Sequence, residues 1–244
     1  MKKYAVYTGT KNLYHDMEVA AKSLIANSNV DLVYFLIEDD VFPSELPEGI
    51  IQCRNMSNQQ FFKSTSPNMK NQFSYMAMLR IALAHIFEDI SIILSLDCDT
   101  IVMKDISGLW NISLDEYYFS ATPEPDRSKY DLVYCNHGVV LYNLDRMRQG
   151  KAQECIDILN ISPHRYVDQD VGNFLCQGRI HKMSSIYNMN RFTDNNPDTL
   201  NAHIIHYAGM KQNEWYNKPE VIFWRNLDWD TVMSMHTEKV IQYS

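Results

Sequence analysis

Two acidic residues that can hold a metal ion follow an apolar run near the middle of the chain. Ile92–Leu96 has four aliphatic residues and one serine, as is typical of a strand buried on both faces of a parallel sheet. Asp97-Cys98-Asp99 comes next. Residues i and i+2 of an extended segment face the same way, so the two carboxylates can close on one Mg²⁺ or Mn²⁺, which in turn bridges diphosphate oxygens. Acid pairs at strand ends are also common in turns and solvated loops, and that interpretation stays open.

The composition limits the class of protein that carries this pair. The chain has 244 residues, of which 45% are hydrophobic and 21% are charged, as in ordinary globular proteins. No internal repeat or composition break marks a second domain, so we expect a single one. The net charge of −8 and the absence of a basic stripe argue against nucleic acid as a partner.

The amino terminus and the cysteines indicate a cytoplasmic location. Lys2 and Lys3 are not followed by the apolar stretch of a secretory signal. No run approaches the roughly 18 apolar residues of a membrane span, so no transmembrane segment is expected. The five cysteines are odd in number and show no C-x-x-C spacing, which predicts reduced thiols and no zinc site.

The first half of the chain has the rhythm of βαβ units, which predicts an α/β fold with a mostly parallel sheet. A strand ending at Tyr7 precedes a helix that Asp16 is expected to cap, and a buried strand is predicted at Leu32–Ile37. No G-x-G-x-x-G fingerprint follows the first strand, so a dinucleotide fold lacks its main support. The polar segment Asn55–Asn71 has the composition of a mobile loop.

Arg80 lies on a predicted helix, Phe73–Phe87, that leads into the D-x-D strand. An arginine on such a helix usually extends to solvent, and the alternative is a contact with a phosphate or sugar.

The second half alternates strands, turns and helices. Thr122–Asp131 is predicted to be irregular, and Asn136 and Gly138 suit a tight turn with positive φ before a strand. Asp168 opens a helix, where acids are favoured by the helix dipole. After a strand ending in His206, we expect a helix over Trp215–Trp224 and a short tail.

Four separated motifs resemble glycosyltransferase family 8, the retaining transferases that include lipopolysaccharide α-galactosyltransferases and α-glucosyltransferases and the glycogenins. The motifs occur in the family's order and span most of the chain: LSLDCDTIV, CNHGVVLYNL, YVDQDVGNFL and IIHYAG. The opening YTGTKNLYHDMEVAAKSL also resembles the family's nucleotide-binding strand and helix.

The resemblance implies a GT-A fold, a Rossmann-like and mostly parallel sheet flanked by helices, in a single domain over residues 1–244. Its nucleotide-sugar half would cover about residues 1–110 and its acceptor half about 111–244. Asp97, Asp99 and His206 match the family's metal ligands. A histidine ligand favours Mn²⁺ over Mg²⁺, although a lone histidine at a strand end is more often a hydrogen-bonded core residue.

Other family positions match donor-binding and catalytic residues. Those of the nucleotide sugar are Thr8, Asn12, Arg80, Asp97, Cys98, Asn136, Gly138, Gly209 and Lys211. Asp168 and Gln169 match the D-Q pair beside the anomeric carbon, and we assign them the catalytic role.

The chain departs from the family pattern at three places. Thr10 replaces an acidic residue in the first loop. In the family's F-N-[SA]-G motif, Cys135 replaces the aromatic residue and His137 replaces the small one, which can change the sugar hydroxyls that are read. The family's motif H-[YF]-x-G-x-x-K-P-W contains a lysine that binds the diphosphate. In this chain Gln212 occupies the position of that lysine. Either a one-residue adjustment lets the neighbouring Lys211 bind the diphosphate, or the leaving phosphate is held less tightly, and we expect the former.

The predicted activity is transfer of a hexose, glucose or galactose, from a UDP-α-sugar to a hydroxyl acceptor, with Mn²⁺ (or Mg²⁺) assisting the departure of UDP and the new linkage also α. The acceptor is a glycan, glycolipid or glycoprotein. Double displacement and a front-face route both fit the residues. Two other functions stay open: a nucleotide-sugar-binding protein with little or no transfer, and a phosphatase with an aspartyl nucleophile.

Overall fold

The computed structural model describes residues 2–128, 132–194 and 198–243. Its strands, in chain order, are β1 (Tyr4–Thr8), β2 (Leu32–Ile37), β3 (Ile51–Asn55), β4 (Ile92–Leu96), β5 (Thr100–Val102), β6 (Phe119–Pro123), β7 (Cys135–Asn143), β8 (Ile180–Lys182) and β9 (Ile204–His206). Its helices are α1 (Tyr14–Asn27), α2 (Tyr75–Ile86), α3 (Ser107–Trp110), α4 (Leu144–Arg146), α5 (Ala152–Ile161), α6 (Val167–Leu175), α7 (Gln212–Trp215), α8 (Pro219–Asn226) and α9 (Trp229–Tyr243).

One sheet organises the molecule. Its seven strands have the order β3-β2-β1-β4-β7-β6-β8. All neighbouring pairs are parallel except the two that β7 makes with β4 and with β6. A separate ribbon pairs β5 with β9. The expected mixed α/β fold with a mostly parallel sheet is confirmed.

Apolar side chains cover both faces of the sheet, as buried parallel strands require. Successive residues of β1 alternate between two cores, Ala5 and Tyr7 in one and Val6 in the other. The first core is closed by α1, α8, α9 and the small ribbon. The second is closed by α2, α5 and α6. The two halves of the chain therefore share both cores.

Several local predictions were wrong. Asp16 does not cap α1, because it lies inside the first turn, where it is buried and accepts hydrogen bonds from Gln212 and Tyr216. The predicted helix over Trp215–Trp224 is divided between α7 and α8 by the turn before Pro219. The short tail is the 15-residue helix α9, whose Val232 is fully buried.

Two expected loops contain more structure than their composition suggested. Residues 55–71 include a 3₁₀ turn at Pro67–Lys70, and the buried Asn68 donates to the carbonyls of Leu159 and Ser162. This segment is thus tied to the end of α5. The segment predicted to be irregular begins within β6, and its residues 129–131 lie outside the described ranges.

Among the described residues, no helix is long and apolar enough to cross a bilayer. All five cysteines are free thiols.

Candidate active site

Strand order brings the predicted site residues to one edge of the sheet. Because β1 and β4 are adjacent and parallel, with Tyr7 beside Leu96, their carboxyl ends deliver Thr8 and Asp97 to the same place. The antiparallel β7 brings its first residues there too, and the Asp97 N–H donates to the Gly138 carbonyl at 2.8 Å. Edges of this kind are where α/β sheets bind ligands.

The small ribbon adds the histidine. Thr100 of β5 pairs with His206 of β9, and the N–H of Tyr207 donates to the Asp99 carbonyl at 2.9 Å. His206 Nε2 consequently lies 3.2 Å from Asp99 Oδ1 and 3.5 Å from Asp97 Oδ2. We call these three residues the acidic corner.

The donor set of the acidic corner suits a divalent ion. One ligand atom from each of its residues can be chosen so that the three atoms lie within 4.8 Å of one another. The carboxylates are 34% and 28% exposed, whereas His206 is 3% exposed, so an ion can reach the acids from solvent while the histidine closes the protein side. Two carboxylate oxygens and one imidazole nitrogen are ligand atoms that divalent metal ions accept.

The charges of the corner shift each other's protonation. Burial would lower the pKa of His206, but the carboxylates of Asp99 and Asp97 outweigh it and raise that pKa to about 10. Burial would raise the pKa of Asp97, yet Arg80 and His206 hold it at about 2. A proton on His206 therefore occupies the position that a cation would take.

Gly138 is required by the position of His206. Both Asn136 and Gly138 lie inside β7 rather than in the turn predicted for them, and Gly138 does not have a positive φ. A Cβ built there would overlap the imidazole ring of His206. The absence of a side chain at residue 138 thus lets the ring reach the carboxylates.

Arg80 joins three elements instead of extending to solvent. Its guanidinium is paired with Asp97, donates to the His137 carbonyl at 2.9 Å and lies 3.0 Å from Asp168 Oδ2. The side chains of Arg80 and Asp168 are 9% and 3% exposed. Asp168, in the first turn of α6, is therefore held by a buried cation, and the helix dipole alone does not account for its position.

His137 is buried beside Asp168. Its Nδ1 is 3.5 Å from Asp168 Oδ2, and neither ring nitrogen has a hydrogen-bond partner within the described ranges. A Cβ at Gly172 would approach the His137 ring to 2.5 Å, so α6 accommodates this larger side chain through a glycine. The ring faces the core.

Gln169 belongs to a set of hydrogen-bonded polar side chains. Its Oε1 accepts from the His137 N–H at 3.0 Å, and its Nε2 lies 3.3 Å from Glu124 Oε1. Asn136 Nδ2 donates to the same Glu124 oxygen at 2.8 Å, and Asn188 Nδ2 donates to Asn136 Oδ1 at 3.0 Å. We call Asn136, Gln169, Glu124 and Asn188 the amide network.

Sequence reasoning missed Glu124 and Asn188. Glu124 is 3% exposed and follows β6 in the segment predicted to be irregular. Asn188 is fully buried in the connection between β8 and β9. A carboxylate between two prolines in TPEPD was the one available signal for Glu124, whereas Asn188 stood in a polar stretch without a distinguishing pattern.

Two residues predicted to bind the nucleotide, Thr8 and Asn12, differ in exposure, because Thr8 is partly buried and Asn12 is exposed. Thr8 ends β1, and the Cys98 thiol faces its carbonyl at 3.4 Å. Burial is the main cause that raises the pKa of this thiol well above its usual value. Asn12 is exposed and accepts a hydrogen bond from Thr10.

The segment after His206 folds back on α1. Gly209 has φ +67°, and its carbonyl accepts a hydrogen bond from Arg191 at 3.0 Å. Lys211 is exposed at the start of α7. The neighbouring Gln212 donates to both Asp16 oxygens, at 3.0 and 2.8 Å, and is thus tethered to α1.

Solved structures share this fold. The structure of galactosyltransferase LgtC in complex with donor and acceptor sugar analogs superposes with a TM-score of 0.68 at 18% identity, covering 95% of this chain and 99% of LgtC. Glycosyltransferase GlyE of Streptococcus pneumoniae superposes in its apo form with a TM-score of 0.69 at 20% identity, covering 98% of this chain and 64% of that one. The fold is that of the GT-A glycosyltransferases.

The family follows from the sequence profile. The profile of glycosyl transferase family 8 matches residues 5–216, and the chain belongs to that family. GlyE is 22% identical over 274 aligned residues, covering 99% of this chain and 65% of GlyE. A putative glycosyltransferase of Haemophilus influenzae is 24% identical over 176 residues, 62% of this chain and 52% of that protein. The chain thus spans about half to two thirds of these two relatives' lengths.

Proposed function

We propose that this protein is a retaining glycosyltransferase that moves a hexose from a UDP-α-sugar to a hydroxyl of a glycan, glycolipid or glycoprotein, forming an α-linkage. The observation that carries the proposal is the acidic corner, which stands at the ligand-binding edge of a family 8 fold. In this proposal, about residues 1–110 bind the nucleotide sugar and about residues 111–244 bind the acceptor.

The first role is binding and departure of the nucleotide. Asp97, Asp99 and His206 Nε2 would hold Mn²⁺ (or Mg²⁺), which when bound neutralises charge on the departing diphosphate. Thr8 and Asn12 contact the base and ribose, and Gly209 lets the backbone approach the phosphates. Lys211, exposed beside Gly209, supplies a cation for them.

The second role is orientation of the sugar. Arg80 fixes Asp97 and Asp168 relative to each other, while Asn136, Gly138 and Asp168 line the path to the anomeric carbon. The backbone N–H of His137 donates to the side-chain oxygen of Gln169 and so fixes the orientation of that amide. That arrangement supports Gln169 as a group that positions the sugar, with retention by the front-face route, in which the leaving phosphate takes the acceptor proton.

Titration calorimetry with UDP, in the presence and absence of Mn²⁺, tests binding. Release of UDP from UDP-glucose and UDP-galactose tests chemistry. A transferase is expected to bind UDP only in the presence of Mn²⁺ and to hydrolyse one of the two UDP-sugars slowly. Absence of metal-dependent UDP binding in the folded wild-type protein would contradict the proposal.

A nucleotide-sugar-binding protein with little transfer is the second candidate. Gln212 favours it, because this residue stands at the family's lysine position and is tethered to Asp16. Metal-dependent UDP binding without hydrolysis or transfer of any sugar would identify it. Phosphate release from monoesters would instead indicate a phosphatase.

A further inference from the structure

Asn188 connects the acidic corner to the amide network. It is fully buried, and its side chain lies between His206 and Asn136. Asn188 Oδ1 is 2.8 Å from His206 Nδ1, and Asn188 Nδ2 is 3.0 Å from Asn136 Oδ1. Which atom of an amide faces which partner must be decided from the surrounding donors and acceptors.

Asn136 determines one side of Asn188. The oxygen of Asn136 accepts from the Gly138 N–H at 3.0 Å, and its nitrogen donates to Glu124 at 2.8 Å. A backbone N–H is always a donor, so the Asn136 oxygen must face it. The Asn188 atom near that same oxygen therefore has to be its NH₂ group, which turns Asn188 Oδ1 towards His206.

The contacts of Asn190 assign the same orientation to the side-chain amide of Asn188. The Asn190 oxygen accepts from the N–H groups of Phe192, at 2.8 Å, and Thr193, at 3.2 Å. The Asn190 NH₂ group consequently faces Asn188, where it donates to Asn188 Oδ1 at 3.0 Å and to the Asn188 carbonyl at 3.1 Å. These two bonds use both hydrogens of the group, so none is left for His206 Nδ1, which lies farther away at 3.4 Å. The backbone thus fixes both amides, and Asn188 Oδ1 is an acceptor on both counts.

We infer that Asn188 is a positioning residue that fixes the proton of His206 on Nδ1 and so dedicates Nε2 to the metal. A ring nitrogen that faces an acceptor must carry a hydrogen, and a neutral imidazole has only one. This inference rests on the proposed metal site. Removing such an outer partner of a metal ligand typically costs 10–100-fold in metal affinity.

Titration of the nucleotide-free protein with Mn²⁺, followed by the EPR signal of the free ion, tests the inference. We expect Asn188→Ala to weaken Mn²⁺ binding about 10–100-fold. Asn68→Ala is the matched control, because Asn68 is also buried and donates to two carbonyls, but at the end of α5. It should lose stability and keep the wild-type affinity for Mn²⁺.

A measurement on the wild-type protein removes the dependence on how well a variant folds. A long-range ¹H–¹⁵N correlation spectrum with saturating Mg²⁺ and UDP should show His206 protonated at Nδ1. A proton on Nε2, or a folded Asn188→Ala variant with unchanged Mn²⁺ affinity, overturns the inference alone. A wild-type protein that binds no divalent ion with or without UDP overturns the metal site as well.

Discussion

The acidic corner and the amide network lie side by side but differ in the kind of side chain from which they are built. At the corner, Asp97 and Asp99 face a histidine whose pKa is raised to about 10, so charge is arranged for a cation. In the network, neutral amides surround Glu124, whose carboxylate is already paired with Arg127 at 3.2 Å. In the proposed function the corner supplies charge for the metal and the network orients the sugar. Changes at the two regions should therefore affect different measurements.

The largest effect on turnover is expected from Asp99→Asn, which keeps the shape and removes one charge of the corner. We expect turnover to fall about 10²–10³-fold because a metal ion contributes several kcal/mol of charge stabilisation. Mn²⁺ affinity, measured by EPR, should fall with it. Asp157→Asn, on the exposed face of α5, is the control. Normal turnover in Asp99→Asn would remove the corner from the mechanism.

Arg80→Gln should show that the corner and α6 depend on one buried cation. The change leaves the carboxylate of Asp168 buried without its guanidinium, which typically costs about 3–5 kcal/mol of unfolding free energy. Urea denaturation measures it. The exposed Arg165 provides a control, Arg165→Gln, that should stay within about 0.5 kcal/mol of wild type. Adding Asp168→Asn to Arg80→Gln should recover part of the loss, and failure to recover any would argue against the pairing.

Gln169→Ala tests the other side of the comparison. With the proposed role of this amide in orienting the sugar, we expect turnover to fall about 10–10²-fold, while the affinity for UDP and Mn²⁺ stays within about twofold of wild type. Steady-state kinetics and calorimetry separate the two quantities. Complete loss of turnover would favour an obligatory nucleophile, and near-normal turnover would exclude one.

Gly138→Ala places a methyl group against the His206 ring. We expect Mn²⁺ affinity to fall about tenfold, as for the loss of a positioning partner. The matched glycine is Gly178, which has φ +78° and open space around it. Gly178→Ala should lose about 1–2 kcal/mol of stability through its backbone conformation and bind Mn²⁺ normally. Equal metal affinities in the two variants would contradict the packing argument.

The smallest effects are expected in two pH profiles, that of the unfolding free energy of the metal-free protein and that of its affinity for Mn²⁺. His206 holds its proton up to a pKa of about 10 in the folded state, against about 6.5 when unfolded. Between these values the folded state binds more protons, so the unfolding free energy contributed by His206 falls as pH rises. Mn²⁺ competes with that proton, and its affinity should rise by up to tenfold per pH unit. His206→Gln should flatten both profiles.

The sequence was sufficient where a residue's role follows from its neighbours in the chain. The apolar run Leu32–Ile37 forms the predicted strand with the same bounds. The D-x-D pair lies at the strand end as expected. The acids of the corner and His206 were assigned together through the family resemblance, and the structure places them in contact.

The sequence was insufficient where a role depends on a distant contact. The residue type of Gly138 predicts a turn, whereas the structure requires a glycine there because the ring of His206 occupies the space of a Cβ. Asp16 suited a helix cap, but Gln212 and Tyr216 bind it from the other end of the chain. Asn188 and Glu124 acquire their importance only from the partners that folding brings to them.

The guanidinium of Arg80 has a consequence for how the chain reaches its native state. Its three partners lie 17, 57 and 88 residues further along the chain. Closing the longest of these loops requires α6 to dock on α2, so the pairing of Arg80 with Asp168 forms only after residue 168 has been synthesised. A ribosome-bound fragment ending near residue 110 would hold Arg80 and Asp97 but lack Asp168, and we expect it to remain loosely packed until the second half emerges.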